Sequence, residues 1–333
     1  MIESKTLVIG SGNWGTAFAM VLARANRDVT LYVRNPEQLT KMQESGVNQR
    51  YLPDIPLPAN LKMTNELGAI EESQLIVLAI PTNSTREMIK TIKGSLNAKH
   101  LVLSLSKGIE RKTGLRISQI LVEELGPHTG IAVLSGPNIA VEIAQGKPAV
   151  SVVSSAHPST SKKIQKIVSS PTFRIYTNPD LQGVEICGSL KNIIAIGAGI
   201  CHQLNLGHNA VSALMTRGIA EIARFGQRFG AHPSTFLGMA GFGDLSVTCM
   251  SPNSRNNTLG RKLASGVSLD EARMEMGMVT EGVMTCEIVH KIAQEFEIYM
   301  PITKAIHSIL FEGISTSRAL ENLMQASLKD ELH

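Results

Sequence analysis

The residues best suited to chemistry appear near the start of the chain. Gly10-Ser11-Gly12-Asn13-Trp14-Gly15 is a GxGxxG sequence that ends one hydrophobic run and begins an amphipathic one. At a strand-to-helix junction the first glycine permits the tight turn and the second lets the backbone approach a pyrophosphate. The third lets helix and strand pack closely. The helix N-terminus adds free N–H groups and a positive partial charge. A glycine-rich turn without a ligand is the alternative, and the position of the motif argues against it. Gly10, Gly12 and Gly15 are therefore expected to hold a dinucleotide.

Cofactor choice depends on the tip of the next hydrophobic run. NAD-selective folds place Asp or Glu there to accept from the ribose hydroxyls, whereas here Tyr32-Val33 is followed by Arg34-Asn35. A carboxylate about 4 Å from a 2′-phosphate would repel each phosphate charge by about 4 kcal/mol at intermediate dielectric. Its absence removes that repulsion, and Arg34 can pair with the phosphate as a fork. An exposed turn arginine is the plain alternative. The expectation is NADP or NAD, with NADPH accepted.

Three further segments put polar residues where a core pattern wants apolar ones. Ser104-Leu105-Ser106-Lys107-Gly108-Ile109-Glu110 closes a later hydrophobic run, at the strand edge where open α/β sheets bind ligands. Glu185-Ile186-Cys187-Gly188-Ser189-Leu190-Lys191-Asn192 sets a lysine and an amide into apolar helical sequence. A snorkelling lysine is the ordinary reading of such a residue, but Lys191 is flanked by Leu190 and Ile193-Ile194-Ala195-Ile196. The third segment runs from Gly241-Phe242-Gly243-Asp244, a glycine-flanked acid, to the polar cluster Ser254-Arg255-Asn256-Asn257. His202, His208, His232 and His307 are scattered, so ordinary polar roles are expected and no metal is assigned.

These segments need a scaffold. Nearly continuous hydrophobic runs at residues 6–9, 29–33, 75–80, 101–105 and 131–134 read as strands buried on both faces. Helical sequence at 14–24 and 84–92 lies between them, which gives a Rossmann-type doubly wound α/β sheet. Further strands are expected at 149–153 and 173–176. After about Asp180 the pattern turns helical, at 181–204, 210–229, 281–296 and 301–312. The expected organisation is a dinucleotide-binding domain over 1–180 and an all-helical substrate domain over 181–333. Residues 51–58 read as a proline-stiffened loop.

With 333 residues, 43% hydrophobic and 18% charged, the chain has enough apolar surface for two cores. Lys+Arg 32 against Asp+Glu 28 is a net charge of only +4, well short of a basic nucleic-acid-binding stripe. Cys187, Cys201, Cys249 and Cys286 form no CxxC pair, so reduced thiols in a cytoplasmic protein are expected. Lys191, Asn192 and repeated glycines interrupt the best apolar run, so no membrane span is expected. Residues 1–5 lead directly into a strand, which leaves no expected signal peptide. Lys329-Asp330-Glu331-Leu332 resembles a retrieval tag, but His333 follows it.

The motifs GSGNWGTA, SLSKGIE, SGPNIAVE, GSLKNIIAI, GFGDL and SRNNTLGR together resemble the soluble NAD(P)-dependent glycerol-3-phosphate dehydrogenases, in family order and over almost the whole chain. The resemblance implies that Lys191 is the general acid/base and that Lys107 contacts both substrate and cofactor. It implies that Asp244 orients the reacting hydroxyl and the lysine. Ser254, Arg255 and Asn256 would hold the substrate phosphate, with Arg255 also near the cofactor. Asn192 and Thr248 match substrate contacts of eukaryotic relatives. Gly136 falls at the substrate and Ala140 at the cofactor, while Asn13, Trp14, Arg34, Val279 and Glu281 fall at the remaining cofactor positions. Asn138 stands where bacterial relatives usually carry Ser or Thr and eukaryotic ones carry Asn; an amide can make the same hydrogen bond.

The implied reaction passes a hydride to the ketone carbon of dihydroxyacetone phosphate while negative charge develops on its oxygen. A lysine ammonium can stabilise that charge and supply the proton. In the reverse direction the amine must be neutral; a second cation and burial favour this, and Asp244 opposes it. The family also implies a homodimer, a role in phospholipid synthesis, and neither nucleic-acid nor membrane partners. The rival readings are a related 3-hydroxy acid or nucleotide-sugar dehydrogenase and a non-catalytic NAD(P)H-sensing protein. The SRN cluster and Lys107 argue against the first two, and the pairing of Lys191 with Asp244 argues against the third.

Overall fold

The computed structural model describes residues 4–126, 130–277 and 280–325. Val279, residues 1–3 and the Lys329–Leu332 segment lie outside the described residues. The strands are β1 (Thr6–Ile9), β2 (Val29–Tyr32), β3 (Lys62–Thr64), β4 (Leu75–Leu78), β5 (Leu101–Ser104), β6 (Gly130–Ser135), β7 (Ala149–Ser154) and β8 (Phe173–Asn178). Around them lie α1 (Asn13–Arg24), α2 (Pro36–Ser45), α3 (Thr82–Ile92), α4 (Ile117–Leu125), α5 (Ala140–Ala144) and α6 (Pro158–Val168). All elements from Leu181 onward among the described residues are helical: α7 (Leu181–Gln203), α8 (Gly207–Arg228), α9 (Pro233–Leu237), α10 (Asp244–Met250), α11 (Arg255–Ala264), α12 (Leu269–Met276), α13 (Glu281–Glu295), α14 (Pro301–Phe311) and α15 (Thr316–Met324).

The sheet order is β3-β2-β1-β4-β5-β6-β7-β8. Strands β1, β4 and β5 are buried along their whole length. Their side chains alternate between two cores: Val8, Leu31, Val77 and Leu103 face one layer, and Leu7, Ile9, Ile76 and Val102 face the other. That two-residue period under an unbroken apolar sequence is the signature of a sheet covered on both faces. The order reverses around β1, so the ends of β1 and β4 open a crevice at the switch point. One junction differs from the parallel expectation: β6 and β7 pair antiparallel, after which β7 and β8 are parallel again. The short helix α5 is the only helix between β6 and β7 among the described residues, and β7 runs back beside β6 instead of crossing over.

Helix α7 is the axis of the helical half. It is buried without a break from Gly183 to Ile200, as a helix surrounded by others must be. It is long and apolar enough to cross a membrane by length and hydropathy alone, although Lys191, Asn192 and glycines interrupt it, yet 94% of its apolar window is buried inside the protein. Helix α11 lies directly against it. A Cβ on Gly199 would fall 2.0 Å from the carbonyl oxygen of Asn257, and one on Gly260 would fall 2.0 Å from that of Ile196. Only glycine permits this backbone approach, and it sets the start of α11 beside the middle of α7. The 51–58 segment forms neither helix nor strand, apart from a single bridge between Val47 and Pro56.

Candidate active site

The β1–α1 turn has the form that a dinucleotide needs. Gly10 has φ +120°, and a Cβ there would lie 2.4 Å from the carbonyl oxygen of Ala79. A Cβ on Gly15 would lie 2.0 Å from the carbonyl oxygen of Gly10, whereas one on Gly12 would meet nothing within 4 Å. The closed glycines hold the turn and the open one leaves room for approach. Gly12 caps α1 without a side chain and the first turn carries no acid, so the positive helix end is available to an anion. Asn13 turns its Oδ1 inward to accept from the Trp14 N–H at 2.8 Å. The Trp14 ring meets Phe18 and Phe173 edge-on, at 5.7 and 6.3 Å between centroids. Arg34 is exposed beyond β2, where Asn35 caps α2, and Ala140 is buried at the start of α5. These residues fit a pyrophosphate-bearing cofactor.

Across the crevice a single carboxylate joins two lysines. Asp244 is fully buried at the start of α10, just after a π-helical turn, Met239–Gly243; such turns are frequent at functional sites. Its Oδ1 pairs with Lys191 Nζ, from the middle of α7. Its Oδ2 accepts from Lys107 Nζ at 2.6 Å, from Ser135 Oγ at 3.2 Å and from Gly136 N at 3.4 Å. Lys191 also donates to Thr248 Oγ1 at 2.6 Å, and that hydroxyl donates to the carbonyl oxygen of Asp244 at 2.6 Å. Lys107 donates a second bond to the Gly136 carbonyl at 3.0 Å. Each ammonium has three hydrogens, so one on each lysine remains beyond these bonds. Two ammoniums against one carboxylate leave a net single positive charge in a buried cleft, a setting that suits an anionic substrate.

Burial pushes the Lys107 ammonium down to about 8; Lys191 lowers it further and Asp244 opposes the shift. Burial alone would raise the Asp244 carboxyl, but its two lysines outweigh it and hold the acid below its ordinary range. The acid therefore stays ionised and keeps the lysines in place.

Beside this cluster, Asn256 spends its amide on structure. Its Nδ2 donates to Asn192 Oδ1 at 2.9 Å and its Oδ1 accepts from Gly282 N at 3.2 Å. Asn192 in turn donates to the Lys107 carbonyl at 3.4 Å. Ser254 caps α11 by accepting from Asn257 N. Arg255, the first residue of α11, is exposed, with Glu281 and Tyr51 as its electrostatic neighbours. Asn138 accepts from Ser151 Oγ at 2.6 Å, while its buried Nδ2 has no partner among the described residues.

Several contributors were not singled out from sequence. Glu281 accepts from Thr82 N at 2.9 Å and from Thr82 Oγ1 at 2.7 Å. Thr82 opens α3 just beyond β4, on the strand edge that should have drawn attention to it. Ser135 stands next to Gly136 in the SGPN run. Glu185, one and a half turns before Lys191 on α7, accepts from Ser118 N at 2.7 Å and Ser118 Oγ at 2.6 Å and pairs with Arg116. It ties α7 to the start of α4.

This geometry has close relatives. Residues 5–161 match the family model described as NAD-dependent glycerol-3-phosphate dehydrogenase N-terminus, and residues 180–321 match that of its C-terminus. A glycerol-3-phosphate dehydrogenase [NAD(P)+] of Shouchella clausii is 45% identical over 327 residues, covering 96% of this chain and 95% of that protein. The crystal structure of glycerol-3-phosphate dehydrogenase from Coxiella burnetii superposes with a TM-score of 0.92 at 37% identity, covering 97% of this chain and 99% of that one. The Saccharomyces cerevisiae glycerol-3-phosphate dehydrogenase structure gives a TM-score of 0.82 at 30% identity, covering 96% and 98%. The chain belongs to the NAD-dependent glycerol-3-phosphate dehydrogenase family.

Proposed function

We propose that this chain interconverts sn-glycerol 3-phosphate and dihydroxyacetone phosphate, with NAD(P) as the redox cofactor. The observation that carries the reading is Asp244 held between Lys191 and Lys107 at the mouth of a dinucleotide crevice. When bound, the cofactor supplies a hydride to the ketone carbon or takes one back. Lys191 is the general acid/base: the hydrogen it does not spend on Asp244 and Thr248 goes to the carbonyl oxygen as charge develops there. In the oxidative direction the neutral amine takes the hydroxyl proton.

Asp244, Lys107 and Thr248 fix the direction of that amine, and Gly136, Asn138 and Asn192 border the reacting end of the substrate. Ser254, Arg255 and Asn256 receive the phosphate, whose binding energy orients a carbon remote from it. Asn256 acts mainly by holding Asn192. Gly10, Gly12, Asn13, Trp14, Gly15, Arg34, Ala140 and Glu281 form the cofactor side, together with Lys107 and Arg255.

The same reading divides the chain into a dinucleotide-binding domain, 1–180, and a helical substrate domain, 181–333. It makes the protein a cytoplasmic homodimer that supplies glycerol 3-phosphate for phospholipid synthesis. The test is NADPH and NADH consumption with dihydroxyacetone phosphate, dihydroxyacetone and a hydroxy acid. Turnover confined to the phosphorylated ketone is the expected result. Equal turnover of dihydroxyacetone would remove the phosphate site, and no turnover with any of the three would leave a binding protein.

A further inference from the structure

His290 on α13 and His307 on the following helix, α14, face each other across the packed helices. Their rings stack at 3.9 Å between centroids and 23° between planes. His307 Nδ1 lies 3.0 Å from Glu312 Oε1, just past the end of α14. One donor atom from each of the three residues lies within 4.8 Å of the other two. We propose that His290, His307 and Glu312 form a binding site for a zinc-class divalent transition metal that clamps α13 to α14.

The donor set decides the class of ion. Two imidazoles and one carboxylate suit Zn²⁺, Co²⁺, Ni²⁺ or Cu²⁺, whereas Mg²⁺ and Ca²⁺ prefer all-oxygen shells. Zinc–ligand bonds of about 2.0–2.2 Å place tetrahedral donors about 3.3–3.6 Å apart. The donors must therefore draw in from the present spacing. Stacked rings cannot both aim their in-plane lone pairs at one ion, so one imidazole turns out of the stack on binding. The Glu312 side chain is 52% exposed and can swing to meet the ion. Water completes the fourth position.

The clamp also reaches the crevice, since α13 begins at Glu281, which holds Thr82.

The experiment uses the full chain, stripped of metal with a chelator and titrated with Zn²⁺ against a chromophoric zinc indicator. Mg²⁺ serves as the control, and thermal melts accompany each titration. One equivalent of Zn²⁺ should bind and raise the melting temperature, and Mg²⁺ should do neither. His290→Gln and Glu312→Gln, each with unchanged circular dichroism, should weaken Zn²⁺ by at least about 10-fold, the loss that even outer-sphere substitutions bring at metal sites. Absence of zinc binding would overturn the proposal. So would an unchanged zinc affinity in either variant, because the ion would then sit on other residues.

Discussion

Both carboxylate oxygens of Glu281 are used on one residue, Thr82: Oε1 accepts from its backbone N–H at 2.9 Å and Oε2 from its hydroxyl at 2.7 Å. The pair joins the first turn of α13 to the first turn of α3, 199 residues apart in sequence. It closes the crevice behind Lys107, for a Cβ on the adjacent Gly108 would lie 2.1 Å from Glu281 Oε2. Glu281 thus acts as a clasp between the starts of α13 and α3. Glu281→Ala leaves the N–H and hydroxyl of Thr82 without their acceptor and should cost about 1–3 kcal/mol. Glu281→Gln keeps one acceptor and lets the Thr82 hydroxyl reverse its bond, so it should cost clearly less. Urea midpoints for the two variants check this; equal losses would mean that shape, not hydrogen bonding, holds the clasp.

Arg34 stands exposed at the tip of β2, with no carboxylate at that tip. On the proposed reading its charge serves the 2′-phosphate of NADPH. Arg34→Ala should weaken NADPH by up to about 1.5–3 kcal/mol, the range for a charge-assisted bond, with a smaller loss if solvent screens it. NADH should be little affected. Fluorescence titration of both cofactors measures this, and parallel losses would take Arg34 out of phosphate recognition.

Sequence periodicity carried the alternating half well, because buried parallel strands such as Leu75–Leu78 are unbroken apolar runs with few rival readings. It carried the long helices α7, α8, α13 and α14 for the same reason. It was silent on β3, whose three residues Lys62–Thr64 are too short and polar to show a period. Nor did it contain the β6–β7 reversal, since strand direction is set by the connection and not by the strand. The lysines and Asp244 were legible because polar groups in apolar sequence are costly unless used. Long-range partners such as Thr82 with Glu281 leave no mark in local sequence, and neither does the stacking of His290 on His307 between neighbouring helices. Only the packing of the helices brings them together.

Glu221 shows how the helical half responds to pH. It is buried on α8 and caps α14, accepting from Thr303 N and Thr303 Oγ1 at 3.1 Å each and from Ile302 N at 2.5 Å. Burial raises its carboxyl from 4.5 to about 7, against the pull of those donors. Between these values the native state holds a proton that the unfolded chain has lost, so stability falls as pH rises through the interval. The melting temperature should therefore decline between pH 5 and about 7.5. Glu221→Gln, which cannot ionise, should flatten that slope, and Glu221→Ala should lower stability at every pH by orphaning the helix cap. An unchanged slope in Glu221→Gln would assign the pH dependence to another group.

On the proposed mechanism, the lysine pair sets the pH at which the chemistry runs. Lys107 is held near 8 by burial and by Lys191 against the pull of Asp244. Above that pH the Lys107–Asp244–Lys191 cluster carries one proton fewer, and because the groups are coupled the free amine belongs to the pair. Oxidation of glycerol 3-phosphate needs a free amine, so its kcat/KM should rise as pH increases through about 8. The reductive rate should fall over the same interval. In Lys107→Met the group held near 8 is gone, so the limb at that pH should be lost. Lys191→Ala should lower turnover by roughly two to four orders of magnitude, the usual share of general acid–base catalysis, while NADPH still binds. Lys107 also leaves a trace in stability: its native value lies below the ordinary 10.5, so the unfolded chain binds more protons between the two and stability should rise with pH there. pH–rate profiles in both directions, with circular dichroism as the folding control, read all of these outcomes. A folded Lys191→Ala protein with near wild-type turnover would remove Lys191 from the chemistry. A limb unchanged in Lys107→Met would show that the titrating group is not Lys107.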